Sequence, residues 1–180
     1  MSTLLLTFFA PRDKIVAQAT VAFATIFLER RYNMPSLMRK INILSRCEGI
    51  YRADKLKETD LCACHHSYVL AICNNPGMSQ DALAKHICVN KSGVARQIAY
   101  LEEKGYVERC ESEHDKRTLC VYPTQKMLDV LPAVRKIVQD WNAYIAADLT
   151  EEELFKFHEI LEKAAARAKN YIYNKDETTI

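Results

Sequence analysis

Asn74-Asn75-Pro76-Gly77 breaks the chain after one apolar segment, a second segment opens at Ser79, and a third opens at Asn90 after only Cys88 and Val89. This spacing constrains the fold more than any other feature. A link that short leaves room only for a tight turn between two helices. "SQDALAKHI" begins with Ser79, a suitable N-cap, and carries Asp81 in its first turn, where the helix dipole favours an acid. Leu83, Ile87 and Val89 give it an apolar side. Asn90 is an equally good cap for the next helix. There Val94, Ile98 and Leu101 recur at intervals of four and three and mark a core face. Gly105 stands where such a helix ends in the left-handed conformation.

Two helices joined by a tight turn, the second opening with small and polar residues, form a helix-turn-helix. Its second helix enters the DNA major groove, where its N-terminal residues meet base edges. Lys91 and Ser92 reach phosphates or bases, Gly93 and Ala95 allow close approach, and Arg96 and Gln97 lie on the same two turns. Asn90 belongs to this set as the cap, and Ser79 and Gln80 as the start of the preceding helix. "YVERCES" and "RTLCVYPT" then alternate as strands around the turn "EHDK". A hairpin after a recognition helix is a wing, and its tip holds Asp115, Lys116 and Arg117. An arginine on a narrow ribbon suits the negative potential of a minor groove, and a nearby aspartate holds the guanidinium in place.

The segment from Asn74 to Lys126 resembles the winged-helix core of the MarR (multiple antibiotic resistance regulator) family. The matching motifs are Gly77 to Ala84, Lys91 to Arg96, Leu101 to Val107 and Asp115 to Arg117, in order, and the likeness extends over about 34–169. Pro123-Thr124-Gln125-Lys126-Met127 departs from the family's Leu-Thr-x-x-Gly at the junction after the wing. The resemblance implies a mainly α fold with a small β-wing: a winged helix-turn-helix with long flanking dimerization helices. Residues 60–123 would be the DNA-binding lobe, and 34–58 with 124–172 the dimerization helices. It implies a homodimeric, cytoplasmic, ligand- or stress-responsive repressor of a palindromic double-stranded operator, with no enzymatic activity and no membrane partner.

The flanks agree with that expectation. Leu37, Ile41, Leu44 and Tyr51 follow helical spacing, with Ile43 and Cys47 broadening the stripe; the polar run "ADKLKETD" closes that helix. "CHHSYVLAIC" reads as a short apolar helix. Thr124 is placed to cap a long helix carrying Leu128, Leu131, Val134, Val138, Trp141 and Ile145. Thr150 to Glu153 is a capping box for another, with Leu154, Phe157, Leu161, Ala164 and Ala168 on one side. So much apolar surface on long helices calls for a second subunit as cover.

Seven cysteines, an odd number without a CxxC repeat, favour reduced thiols in a cytosol over a disulfide framework. "CACHH" places Cys62 with His65 or His66 at helical spacing, but this is not a standard zinc spacing and no further Cys/His pair completes it. No metal or cofactor is therefore expected. The same residues, with Cys47, Tyr51 and Tyr68, are candidates to line a cleft for a small aromatic effector of the kind the family often binds. The alternatives are a thiol- or metal-sensing regulator of the same fold, with Arg46 and Arg52 beside Cys47 as its activating charges, and a winged-helix module used only for protein contacts. Cys64 and an adjacent histidine make a poor nucleophile–base couple, because successive helical residues point about 100° apart.

Residues 1–33 differ in character. Ile15 to Leu28 carries no charge, yet is short for a membrane span, and "ERRYN" stands where a signal peptide would have small residues. Glu29-Arg30-Arg31 can be encoded by purine-rich codons resembling a ribosome-binding sequence, two codons before Met34. The segment is thus expected to be a non-core extension. An untranslated leader, an extra helix and an export role are the readings that remain open.

Overall fold

The computed structural model describes residues 37–112, 116 and 118–173. The readings of 1–33, Asp115 and Arg117 fall outside them. Among the described residues, six helices and three strands follow in order: α1 (Leu37–Leu56), α2 (His65–Asn74), β1 (Met78–Ser79), α3 (Gln80–Ile87), α4 (Lys91–Glu103), β2 (Val107–Glu111), β3 (Leu119–Pro123), α5 (Gln125–Ala146) and α6 (Glu151–Tyr173). The boundary between two compact units falls inside α1, between Arg46 and Cys47. Of the first unit, only helical residues 37–46 are described; their Leu37, Ile43 and Leu44 are exposed. The second unit holds the rest of α1 and every later element.

The core of this second unit is the lobe predicted from the helix pair. Val94, Ile98 and Leu101 of α4 are fully buried, together with Leu83, Ile72, Val69 and Val121. α2 packs on α5 and on α3, and α3 packs on α4. The expected caps are made. Ser79 Oγ accepts the Ala82 N–H at 3.1 Å, and Asn90 Oδ1 accepts the Gly93 N–H at 2.6 Å. Gly105 has φ +74°; its N–H reaches Glu102 O at 2.9 Å and the Tyr106 N–H reaches Leu101 O at 2.8 Å, a complete Schellman motif. The Thr150–Glu153 capping box is closed in both directions.

β2 and β3 pair antiparallel with Arg109 opposite Val121. β1, a strand the sequence reading did not include, adds a third strand, with Met78 opposite Val121 and Ser79 opposite Cys120. Cys88, in the turn between α3 and α4, adopts φ +57°, which glycine usually supplies.

α1 ends at the buried Leu56, inside the polar run 53–60 that was expected to close it. Two expectations from the sequence are corrected. Thr124 sits at the N-cap of α5, but its hydroxyl instead donates to Gly105 O and Tyr106 O (2.7 and 3.0 Å). That hydroxyl fastens the start of α5 to the end of α4. The core face of α5 is Met127, Val130, Leu131, Val134 and Ile137, while Leu128 and Ile145 are exposed. α6 buries no residue at all.

Candidate nucleic-acid interface

The first two turns of α4 present an exposed face opposite its buried one. Asn90, Lys91, Ser92, Ala95 and Arg96 are exposed, and Gly93 is half-buried. Arg96 makes no hydrogen bond or ion pair with any described residue. Lys91 Nζ lies 2.6 Å from Asp81 Oδ2 of α3, a link across the helix pair that sequence spacing did not show. Ser92 Oγ donates to Asn90 Oδ1 at 3.0 Å, the atom that also caps Gly93. A Cβ at Gly93 would lie 2.9 Å from that oxygen, so this glycine is required by the cap as well as by any close approach from outside.

Gln97 is placed differently. It is half-buried, and its Oε1 lies 2.7 Å from Nε2 of His65. His65 is 1% exposed. Its Nδ1 accepts the Cys62 N–H at 3.1 Å, so Nε2 carries the proton and donates it to Gln97. Burial lowers the pKa of this imidazole and the Gln97 bond partly offsets the shift. The ring stacks on Tyr100 with centroids 5.2 Å apart, and Tyr100 Oη donates to Asp60 O.

Ser79, Gln80 and Asp81 at the start of α3 line a shallow cleft of about 420 Å³ with Thr118 and Leu119 at the base of the wing. An N-terminal helix end beside a hairpin offers backbone N–H groups to an anion. Lys116, at the described part of the wing tip, is exposed.

The residues expected around an effector are spread over the unit. Tyr51 is half-buried against Trp141, with centroids 5.2 Å apart. Cys47 is exposed on α1, and Tyr68 is buried edge-on to His65. Arg52, 9% exposed, pairs with Glu48 at 3.0 Å, and its Nη1 also contacts the His66 ring. His66 Nδ1 donates to Ala63 O at 3.1 Å; burial, then the Arg52 charge, lower its pKa. Cys62 and Cys64 are both exposed, with sulfurs 2.9 Å apart, and lie with His65 in one cluster whose ligand atoms are within 4.8 Å of one another. Burial, then the Cys62 hydrogen bond, push the Cys64 thiol up to about 12. The third member is therefore His65, not His66. No described helix is long and apolar enough to cross a membrane.

Comparison with known proteins agrees with this geometry. The MarR family model matches residues 59–118, the span from before α2 to the wing. The uncharacterized HTH-type transcriptional regulator YybA of Bacillus subtilis strain 168 is 28% identical over 120 residues, covering 67% of this chain and 80% of that one. The solved MarR protein of Peptoclostridium difficile superposes with a TM-score of 0.76 at 25% identity, covering 79% of this chain and 94% of the other. A MarR family regulator of Listeria monocytogenes, solved in complex with a 26-mer DNA, shares the fold with a TM-score of 0.74 at 22% identity, over 82% and 99% of the two chains. With its helix pair, wing and flanking helices in the same order, the chain has the winged helix-turn-helix fold of these regulators, and its DNA-binding lobe over residues 59–118 is similar to the MarR family.

Proposed function

We propose that the chain represses transcription by binding a palindromic double-stranded operator as a homodimer, with α4 in the major groove of each half-site. The observation that carries this reading is the exposed face of α4: Lys91, Ser92, Ala95 and Arg96, which is unpaired among the described residues, stand opposite the buried Val94, Ile98 and Leu101. Arg96 has the donors for a guanine edge or a phosphate, and Lys91 and Ser92 for phosphates. The start of α3, with Ser79 and Gln80, would take a backbone phosphate, and the wing residues Asp115 to Arg117 the adjacent minor groove. Gln97 keeps its amide nitrogen for a base while its oxygen holds His65.

Dimerization is supported by the two long flanking helices. Phe155 (72%), Ile160 (63%), Tyr171 and Ile172 of α6 are exposed, as are Leu37 and Ile43 of α1. A 23-residue helix that buries nothing within its own chain gains little from intrinsic propensity alone and needs an opposing surface.

Nuclease protection of the DNA next to its own gene tests the reading. Two symmetric footprints about one helical turn apart are expected, with affinity falling steeply as salt rises. Weak binding that does not distinguish this DNA from random duplex would sink it.

A further inference from the structure

We propose that Cys62, Cys64 and His65 form a binding site for a thiophilic d10 metal cation, copper(I) or zinc(II), at the entrance to α2. This goes beyond the DNA-binding reading and does not depend on it. Three observations carry it.

First, two thiols and one imidazole already converge, their ligand atoms within 4.8 Å of one another. Soft sulfur donors with an imidazole select these cations over hard ones. Metal–sulfur bonds of about 2.3 Å at a tetrahedral angle set two sulfurs about 3.8 Å apart. The pair, now at 2.9 Å, reaches that separation by χ1 rotation of two exposed side chains on the irregular segment before the helix.

Second, the histidine is oriented as metal-ligating histidines are. Its Nε2–H donates to an amide oxygen, Gln97 Oε1 at 2.7 Å, which fixes the tautomer and leaves the Nδ1 lone pair as the ligand. In the metal-free chain that lone pair is used by the Cys62 backbone N–H at 3.1 Å, a bond the cation would replace. The second histidine is not free to compete, being held by Ala63 O and Arg52.

Third, the position of the cluster in the fold suits two thiolates. The site opens α2, whose N-terminus carries the positive end of the helix dipole. Binding replaces both thiol protons. Zinc(II) gives a neutral S₂N centre with a fourth position for water, and copper(I) gives a closed three-coordinate centre of charge −1. In each case two protons leave per cation.

The test uses the full chain, reduced and free of oxygen, titrated with zinc(II) against a chromogenic chelator and, separately, with copper(I) against bicinchoninate. Cobalt(II) serves as the spectroscopic probe. The parent and Cys47→Ser, altered at an exposed cysteine on α1, are expected to bind one cation per chain with release of two protons. Cobalt is expected to show thiolate charge-transfer absorption. Cys62→Ser and Cys64→Ser are expected to weaken binding at least about 100-fold and to lose that absorption, while keeping the parent's far-UV spectrum, since both side chains are exposed. Binding of only one of the two cations supports the site and names its metal. Retention of neither against its chelator overturns it. So does binding that both serine variants retain, or thiols that accept no cation and pass directly to a Cys62–Cys64 disulfide.

Discussion

His65 Nε2 lies 2.7 Å from Gln97 Oε1, so a buried histidine at the start of α2 is tied to the second turn of α4. Removing the acceptor leaves a buried N–H unpaired. Gln97→Ala is expected to cost about 1–3 kcal/mol, read as a lower urea midpoint with unchanged slope. A midpoint within error of the parent would mean that the bond contributes nothing.

Gly93 offers a prediction of sign. Alanine in place of glycine inside a helix ordinarily stabilises by about 0.5–1 kcal/mol. Here a Cβ would lie 2.9 Å from Asn90 Oδ1 and 3.2 Å from Val89 Cγ1. Gly93→Ala is therefore expected to lower the melting temperature, as Asn90→Ala does by loss of a cap worth about 1 kcal/mol. The double variant should lose less than the sum, because both changes act on one hydrogen bond.

Arg96 is exposed and unpaired among the described residues, so its removal should leave folding alone. Arg96→Ala is expected to weaken operator binding by about 1–3 kcal/mol and relax selectivity at one base pair in each half-site. Equal loss on every sequence tested would reassign it to a phosphate.

Dimerization is expected to fail in Phe155→Asp/Ile160→Asp, since both positions are exposed in the single chain. Sedimentation should show a monomer, and binding to the full operator should fall with it. A variant that still sediments as the parent does would place the interface elsewhere.

Glu102 of α4 receives Arg109 of β2: Nε donates to Oε2 at 2.9 Å, and that bond holds the carboxyl below its usual range. A depressed carboxylate stabilises above its unfolded pKa of about 4.3, and that contribution is lost as pH falls through the lower folded value. Both side chains are about one-third exposed (35% and 30%), so screening keeps the effect under about 1 kcal/mol. Between pH 5 and pH 3, Glu102→Gln should lose less stability than the parent, as followed by urea midpoints.

Periodicity and caps made most of the lobe readable in advance. Val94, Ile98 and Leu101 announce a core face by spacing, and Ser79, Asn90 and Gly105 announce helix ends by their chemistry. What escaped was non-local. His65 and Gln97 are 32 positions apart, and nothing near either names the other. β1 is two residues long, too short for alternation to register. The stripe read along α5 from Leu128 to Ile145 merged two faces, because only one side of the helix meets the lobe. The cysteine–histidine cluster was visible as residues, but the choice of His65 over His66 depends on which ring is held elsewhere.

The short strand β1 carries a consequence of its own. The Gly77 N–H is bonded to Val121 O at 2.9 Å, and Val121, fully buried, sits between β1 and β2 on the central strand. Peeling the hairpin away therefore uncovers core and frees the segment that caps α3 in one event. In hydrogen exchange the amides of Gly77, Val121 and α4 should open together, at the rate of global unfolding.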